Sequence, residues 1–289
     1  MTKPQTIQIF LPFGNPQGTR VAEITTRTVR VFDIPRKLLP EFLNMTESTQ
    51  VGLYFLFSEV DNEDSISCYI GQSGDVGKRL QQHHQKKDFW HRAIVAVSLT
   101  NTITDTHAKY LEWASIKLGQ ASGRFQLENG NSGSKPHTPA PLEADCEEIL
   151  ETIRVLMSTM GFPVMEPLPS HTKEIQSTIY YCTARGANAR GILSSEGFTV
   201  LKGSTCAIKP TAKATPQSIK TRRQKLIDNG VLVNDVDALV FAKDYLFQSP
   251  SGASCSVIYR TSNGWKDWKT AEGVDLATSE ENKTSLQHN

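Results

Sequence analysis

The stretch Val51-Gly52-Leu53-Tyr54-Phe55-Leu56-Phe57, followed after an acidic break by Ser67-Cys68-Tyr69-Ile70-Gly71, decides how this chain is read. Each run is rich in aromatic and β-branched residues, and the polar Asp61-Asn62-Glu63-Asp64 between them is turn chemistry, so the pair predicts a β-hairpin. Alternation along a strand sends Tyr54 to the side opposite Leu53 and Phe55, and Tyr69 to the side opposite Cys68 and Ile70. Two tyrosines on paired strands can then share a face. A cross-strand aromatic pair accounts for them as simply as any chemistry does.

Working outward, Asp75 to Lys87 has helical spacing, Ala93 to Leu99 reads as a strand, and Asp105 to Leu118 as a helix with Asp105 as its N-cap. The order β-β-α-β-α predicts a small α/β (α+β) domain over residues 49–135. Before it, residues 6–33 alternate around Gly14-Asn15-Pro16-Gln17-Gly18 and predict an antiparallel β extension over 1–48, with a short helix at 36–44. After it come a loop from Asn129 to Leu142, an amphipathic helix from Glu143 to Met160 closed by Gly161, and a proline-marked linker, together 136–170. A separate mixed domain is expected over 171–273, with strands at Thr178 to Thr183 and Phe198 to Leu201. There Thr215-Pro216 reads as a helix start and Gly230 as its end, and Ser249-Pro250 repeats the start signal before Ser254 to Tyr259, a stretch that also fits a strand. The polar residues 274–289 read as a disordered tail.

The whole chain sets the outer limits. Its 289 residues suffice for two domains. A net charge of +1 neither favours nor excludes nucleic acid, because a basic patch can hide in a neutral total. Five scattered cysteines, an odd number with no C-x-x-C spacing, suit reduced thiols better than a disulfide framework. With no signal pattern at the N-terminus and no apolar stretch of bilayer length, the expectation is an intracellular, cytoplasmic protein.

Three further residues carry candidate chemistry. Arg79 and His83 stand four apart on one helix face, and a guanidinium offers phosphate two donors at once, though a solvated face would carry the same residues. Glu112 falls among Ala108, Ser115 and Ile116, where a carboxylate is costly unless something binds it; a hard cation and a buried ion pair are the two readings. Farther on, no acidic residue lies between Glu196 and Asp228, while Lys202, Lys209, Lys213, Lys220, Arg222, Arg223 and Lys225 do. Such a one-sign run is either a phosphate-contacting surface or a solvated basic helix. Trp265 and Trp268 are expected in a core.

In order, Gly52-Leu53-Tyr54, Tyr69-Ile70-Gly71-Gln72-Ser73, Arg79, His83 and Glu112 resemble the motif set of the GIY-YIG nucleases, over roughly residues 50–131. Thr6 to Ile24 and Lys86-Lys87-Asp88-Phe89-Trp90 resemble a bacterial subgroup of that family. Val200-Leu201-Lys202-Gly203-Ser204, Ser249-Pro250-Ser251 and Asn263-Gly264-Trp265 to Trp268-Lys269 resemble a domain of unknown function often appended to it, and more distantly domains associated with restriction enzymes and DNA methylases.

The resemblance implies a metal-dependent endonuclease cutting DNA, in a restriction or phage-defence setting, with Mg2+ as cofactor and Mn2+ as its substitute. Tyr54 would be the general base, Tyr69 would position water and phosphate, Arg79 would hold the scissile phosphate, and Glu112 would anchor the metal. His83, with an intrinsic pKa near ~6.5 against ~10 for a phenol, is the rival base. An asparagine completes the set, at Asn129 or Asn131. Lys86, Lys87, Lys220, Arg222 and Arg223 are the expected DNA contacts. Leu53 in place of isoleucine, and a longer gap between the tyrosines, are departures that touch no catalytic atom. The competing expectation is a nucleic-acid-binding protein whose nuclease-like fold is inactive; a pure interaction scaffold would leave the basic run unexplained.

Overall fold

The computed structural model describes residues 4–59, 66–130, 133–168, 178–211, 215–235 and 238–286, and divides into two compact units, Met1–Pro167 and Leu168–Asn289. Both units are mixed α/β. The acidic turn at 61–64, Asn131, Pro169 and Lys213 lie outside the described residues.

Unit 1 is built on one seven-stranded sheet. In chain order its elements are β1 (Ile7–Phe10), β2 (Arg20–Ile24), β3 (Val29–Pro35), α1 (Leu39–Leu43), β4 (Gly52–Ser58), β5 (Ser67–Ser73), α2 (Val76–Lys86), β6 (Trp90–Ser98), α3 (Asp105–Ser122), β7 (Gln126–Leu127) and α4 (Ala140–Thr159). The strands lie in the order β1-β2-β3-β6-β4-β5-β7, so the N-terminal strands continue the sheet that carries the hairpin instead of standing apart. All pairings are antiparallel except β5 with β7. Register lines up Phe10, Val21, Phe32, Val95, Tyr54 and Gly71 as one row across the sheet.

The two faces of this sheet bury different clusters. One carries Leu53, Phe55, Cys68, Ile70, Ile94 and Ala96 against α3 and α4, with Leu111, Ile153 and Leu156 from the helices. The other carries Val21, Phe32, Tyr54, Leu56 and Val95 against α1 and α2, with Phe42, Val76 and Leu80. The period-2 alternation read from the hairpin is thus the alternation between two cores. The N-cap of α3 is Thr104, not Asp105: a capping box joins Thr104 to His107, a reciprocity that leaves Asp105 the first helical residue.

Unit 2 contains β8 (Ile179–Cys182), β9 (Ala189–Ser194), β10 (Gly197–Val200), β11 (Thr205–Cys206), α5 (Gln217–Asp228), β12 (Leu232–Asp235), β13 (Ala238–Phe241), β14 (Tyr245–Phe247), α6 (Pro250–Ile258), α7 (Gly264–Asp267) and α8 (Leu276–Leu286). A four-stranded sheet, β14-β10-β9-β8, and a three-stranded one, β11-β13-β12, share an apolar core. Helix α5 starts at Gln217 with Pro216 as N-cap, and the Thr215 hydroxyl instead accepts the Thr211 N–H, so the expected start is shifted by one residue. Within the segment expected to be a disordered tail, Leu276–Leu286 form α8. Leu276 at its start is fully buried, and the Tyr180 hydroxyl donates to Glu280. Its weak sequence signal reflects how few apolar side chains anchor it.

The serine, glycine and tryptophan motifs of unit 2 interlock. Ser249 caps α6 by accepting the Gly252 N–H, the Ser251 hydroxyl accepts the Gly264 N–H at 3.0 Å, and the Trp268 indole donates to the Pro250 carbonyl at 3.0 Å. A Cβ on Gly264 would collide with the Pro250 carbonyl, so only glycine fits there. Trp268 is core, as expected, but Trp265 is 42% exposed, because α7 is a single turn whose other side meets solvent.

Among the described residues no helix is long and apolar enough to cross a membrane. The five cysteines are unpaired; four are buried and Cys255 is half-buried.

Candidate active site

Tyr54 and Gly71 are register partners on β4 and β5. The Tyr54 ring lies across the Gly71 backbone, and a Cβ there would strike its hydroxyl, which is why this motif position is glycine. Tyr69, two residues back on the same face, brings its ring to 6.3 Å from that of Tyr54. Helix α2 follows directly, capped by the Asp75 side chain on the Lys78 N–H, and its inward face delivers His83 between the two phenols.

The contacts are polar as well as packed. Tyr54 Oη and His83 Nε2 are 2.9 Å apart, and Arg79 Nε donates to the same phenol oxygen at 3.3 Å. Both rings are buried, Tyr54 at 1% exposure and His83 at 6%, while Arg79 is exposed. Burial pushes the Tyr54 phenol up to about 12, against the pull of the Arg79 hydrogen bond; the neighbouring Tyr69 and Glu112 add to the rise. Burial, then the charges of Lys87 and Arg79, lowers His83 to about 4. His83 is therefore neutral near pH 7, with a ring nitrogen able to accept. Since Arg79 only donates, the phenol proton is left to face His83 Nε2.

Lys87 contributes something the sequence did not indicate. Its ammonium lies 3.6 Å from the centroid of the Tyr69 ring, a cation–π contact, and burial lowers its pKa. Lys87 thus belongs to the tyrosine cluster, whereas its neighbour Lys86 is exposed. Only the side on which the chain leaves α2 decides this, and no pattern in the run Lys86-Lys87 signals it.

Glu112 sits half-buried on α3 and accepts the backbone N–H of Gln72, next to Gly71 on β5. Burial raises its pKa, with the Gln72 N–H and the Arg79 charge opposing. Among the described residues no group of three or more His, Cys, Asp or Glu side chains converges, so the donor set for a cation holds fewer than three such groups, with Glu112 as the carboxylate beside the tyrosine cluster. That set fits magnesium, which takes one or two protein carboxylates and completes its shell with water and phosphate. A nearby cation would also offset the desolvation that Glu112 bears.

Asn129 is placed otherwise than a reacting group. Its side-chain oxygen accepts the Ile70 N–H at 2.9 Å and its nitrogen donates to the Ile70 carbonyl at 2.8 Å. Both ends of the amide are engaged on the backbone between Tyr69 and Gly71, so Asn129 holds in place the strand that carries Tyr69. An amide at a strand edge is indistinguishable from a polar ligand in sequence, which is why it read as catalytic.

In unit 2 the basic run separates. Lys220 is exposed on α5, and Arg222 is half-buried. Arg223 is 2% exposed; it donates to the carbonyls of Ser256 and Ala207, and its guanidinium stacks 4.3 Å from the Tyr259 ring centroid. Arg185 donates to the carbonyls of Ile258 and Tyr259 beside it. Together they satisfy the unpaired carbonyls at the C-terminus of α6, where positive charge is favoured. Arg223 is consequently not a DNA contact; periodicity on α5 turns it inward with Ile219 and Leu226.

An apolar hollow of about 720 Å3 bounded by Phe10, Val21, Phe32 and Met45 contains none of these site residues. Residues 180–280 match the family model described as Domain of unknown function (DUF4357), a match that covers well under half of the chain. No curated protein and no solved structure matches this chain.

Proposed function

We propose that unit 1 is a Mg2+-dependent endonuclease of the GIY-YIG type that hydrolyses phosphodiester bonds in DNA, and that unit 2 helps hold the target. The observation that carries the reading is the convergence of Arg79, Tyr54 and His83 on one phenol oxygen, with Tyr69 and Glu112 alongside. A phenol hydrogen-bonded to a neutral imidazole has an acceptor for its proton. Tyr54 passes its proton to His83 Nε2 as it takes one from the attacking water, so the two rival bases act in series. Arg79 aims its remaining donors at the phosphate and strengthens its hold as charge develops there. Glu112 would hold magnesium, which supplies charge stabilisation for the phosphate and the leaving oxygen. The P–O bond to the leaving group breaks and that oxygen leaves with a proton from solvent.

The match of residues 180–280 to a domain of unknown function supports the two-part organisation without assigning it a role. Lys86, Lys87, Lys220 and Arg222 remain proposed DNA contacts; a restriction or phage-defence role fits an enzyme of this kind. The burial that holds Tyr54 near 12 favours a second reading, a nucleic-acid-binding protein that does not cut.

Purified protein incubated with supercoiled plasmid, with Mg2+ or Mn2+ and with chelator, separates the two. Cleavage with metal, lost in Tyr54→Phe and Glu112→Gln, supports the nuclease. Salt-dependent binding without cleavage supports the second reading, and cleavage undiminished in both variants overturns the site.

A further inference from the structure

The two edges of the seven-stranded sheet are treated differently. Beyond β5 the described residues place only the two-residue β7, and the Asn129 amide occupies the backbone of Ile70 just past it. At the other edge β1 pairs with β2 alone, and among the described residues no strand pairs with its outer side. Edge strands are ordinarily guarded by charge, proline, a bulge or extreme shortness. From Gln5 to Leu11 this edge has neither charge nor proline, and Ile9 and Phe10 are 49% and 64% exposed.

Register shows which backbone groups are free. The Thr25 N–H donates to the Thr6 carbonyl, so Thr6, Gln8 and Phe10 spend their backbone groups on β2. Ile7 and Ile9 therefore turn their N–H and C=O groups outward. The sequence around them, Ile7-Gln8-Ile9, reads the same in both directions.

We infer that β1 is a self-pairing seam, and that two copies of this chain join antiparallel along it about a two-fold axis at Gln8. Ile7 of one copy then faces Ile9 of the other, and each pair exchanges its outward N–H and C=O groups. An isologous contact requires a self-complementary surface, and this short palindrome supplies one. The isoleucine pairs prolong the core face on which Ile7 already packs, giving Ile9 the apolar neighbours it lacks in one chain. Gln8 meets its own copy as a non-hydrogen-bonded pair, the closer of the two antiparallel spacings. The axis stands perpendicular to the sheet and keeps its faces in common. Phe10 and Tyr54 lie in one row on one face, so both Tyr54 clusters open on the same side of the joined sheet. If the nuclease reading holds, that arrangement suits two antiparallel strands of one duplex; the seam itself does not depend on it.

The test needs neither DNA nor metal. Sedimentation equilibrium over a concentration series should give a mass tending to twice the 32.1 kDa of one chain. Ile9→Lys, at an exposed side chain, should return the single-chain mass with an unchanged far-UV spectrum and melt. Gln8→Cys should form a reducible dimer under mild oxidation, and Gln17→Cys, in the exposed turn beyond the strand, should not. Four of the five native thiols are buried, and the Gln17→Cys variant carries the half-buried Cys255 as well, so it measures any background from that thiol. A single-chain mass at every concentration overturns the inference, including one accompanied by capture of a foreign extended peptide on β1. A dimer that persists in Ile9→Lys, or no cross-link through Gln8→Cys, places the contact elsewhere and overturns it equally.

Discussion

Tyr54 and His83, 29 residues apart in the chain, meet hydroxyl to imidazole at 2.9 Å, and each is made unusual by the same burial. The phenol is driven up and the imidazole down, so both are neutral over a wide pH range. A neutral donor facing a neutral acceptor is poised to move a proton only when charge arrives, and Arg79 is where a phosphate would bring it.

The lowered His83 has a consequence for stability. Unfolded, His83 titrates near its ordinary 6.5; folded, near about 4. Between those values the unfolded chain binds the extra proton, so stability is full above pH 6.5 and declines as pH falls toward 4. The slope is about 1.4 kcal/mol per pH unit for each proton involved. Chemical denaturation at pH 7 and pH 5 should show wild type losing more than His83→Gln, whose amide can still accept from Tyr54. Equal losses in both proteins would mean His83 is not buried in the neutral form.

Glu112→Gln should lower metal-dependent cleavage by at least ~10²-fold, the scale on which one preorganised charge-stabilising group acts. Folding should not suffer, since a glutamine oxygen still accepts the Gln72 N–H and the desolvated charge is gone. Single-turnover cleavage together with a thermal melt checks both halves, and wild-type rates in the variant would remove Glu112 from the metal site.

Arg79→Lys keeps the charge but loses the planar fork. Turnover should fall more than DNA affinity does, the sign of an interaction that strengthens in the transition state. An affinity loss as large as the loss in turnover would reduce Arg79 to general attraction.

Asn129→Ala should cost ~1–3 kcal/mol, because the N–H and C=O of Ile70 both lose their partner. Residual magnesium affinity, measured by titration calorimetry on folded protein, should match wild type. A selective loss of metal binding without loss of stability would instead make Asn129 a ligand.

On α5, neutralising Lys220 should weaken duplex binding and flatten the salt dependence by about 0.9 per phosphate contact. Arg223→Ala should act differently, lowering stability through the unpaired carbonyls of Ser256 and Ala207 at ~1–3 kcal/mol each. Affinity measured well below the melting temperature should be unchanged in Arg223→Ala; a flattened salt slope there would return it to the DNA surface.

Sequence periodicity was enough for the hairpin, because period-2 alternation of Leu53, Phe55 and Ile70 against Tyr54 and Tyr69 has one physical meaning when both faces are buried. It was enough for α2, and for α4 apart from its start, which lies at Ala140 inside the expected loop because no side-chain cap marks it. It failed where a long-range partner sets the meaning of a side chain. Arg223 belongs to a surface run by composition and to the end of α6 by contact, and Asn129 carries the chemistry of a ligand and does the work of a strand. Trp265 and Trp268 look alike in sequence, and only the single-turn length of α7 separates the buried ring from the exposed one. The helix at 276–286 was missed because one buried leucine and a few polar contacts to Tyr180 hold it, too little to leave a pattern.

That last helix closes a circuit in time as well as in space. The Tyr180 hydroxyl, in the first strand of unit 2, finds its hydrogen-bond partners in Ser279, Glu280 and Lys283, and Tyr181 exchanges backbone bonds with Lys269. During synthesis, therefore, residues near 180 wait for residues near 280, whereas every strand of unit 1 has its partner before residue 130 is made. The sheet of unit 1 can be assembled on the ribosome while β8, though paired with β9, still lacks the contacts that residues 269–283 bring, and a nascent chain stalled near residue 260 should be protease-resistant in its first half and open in its second.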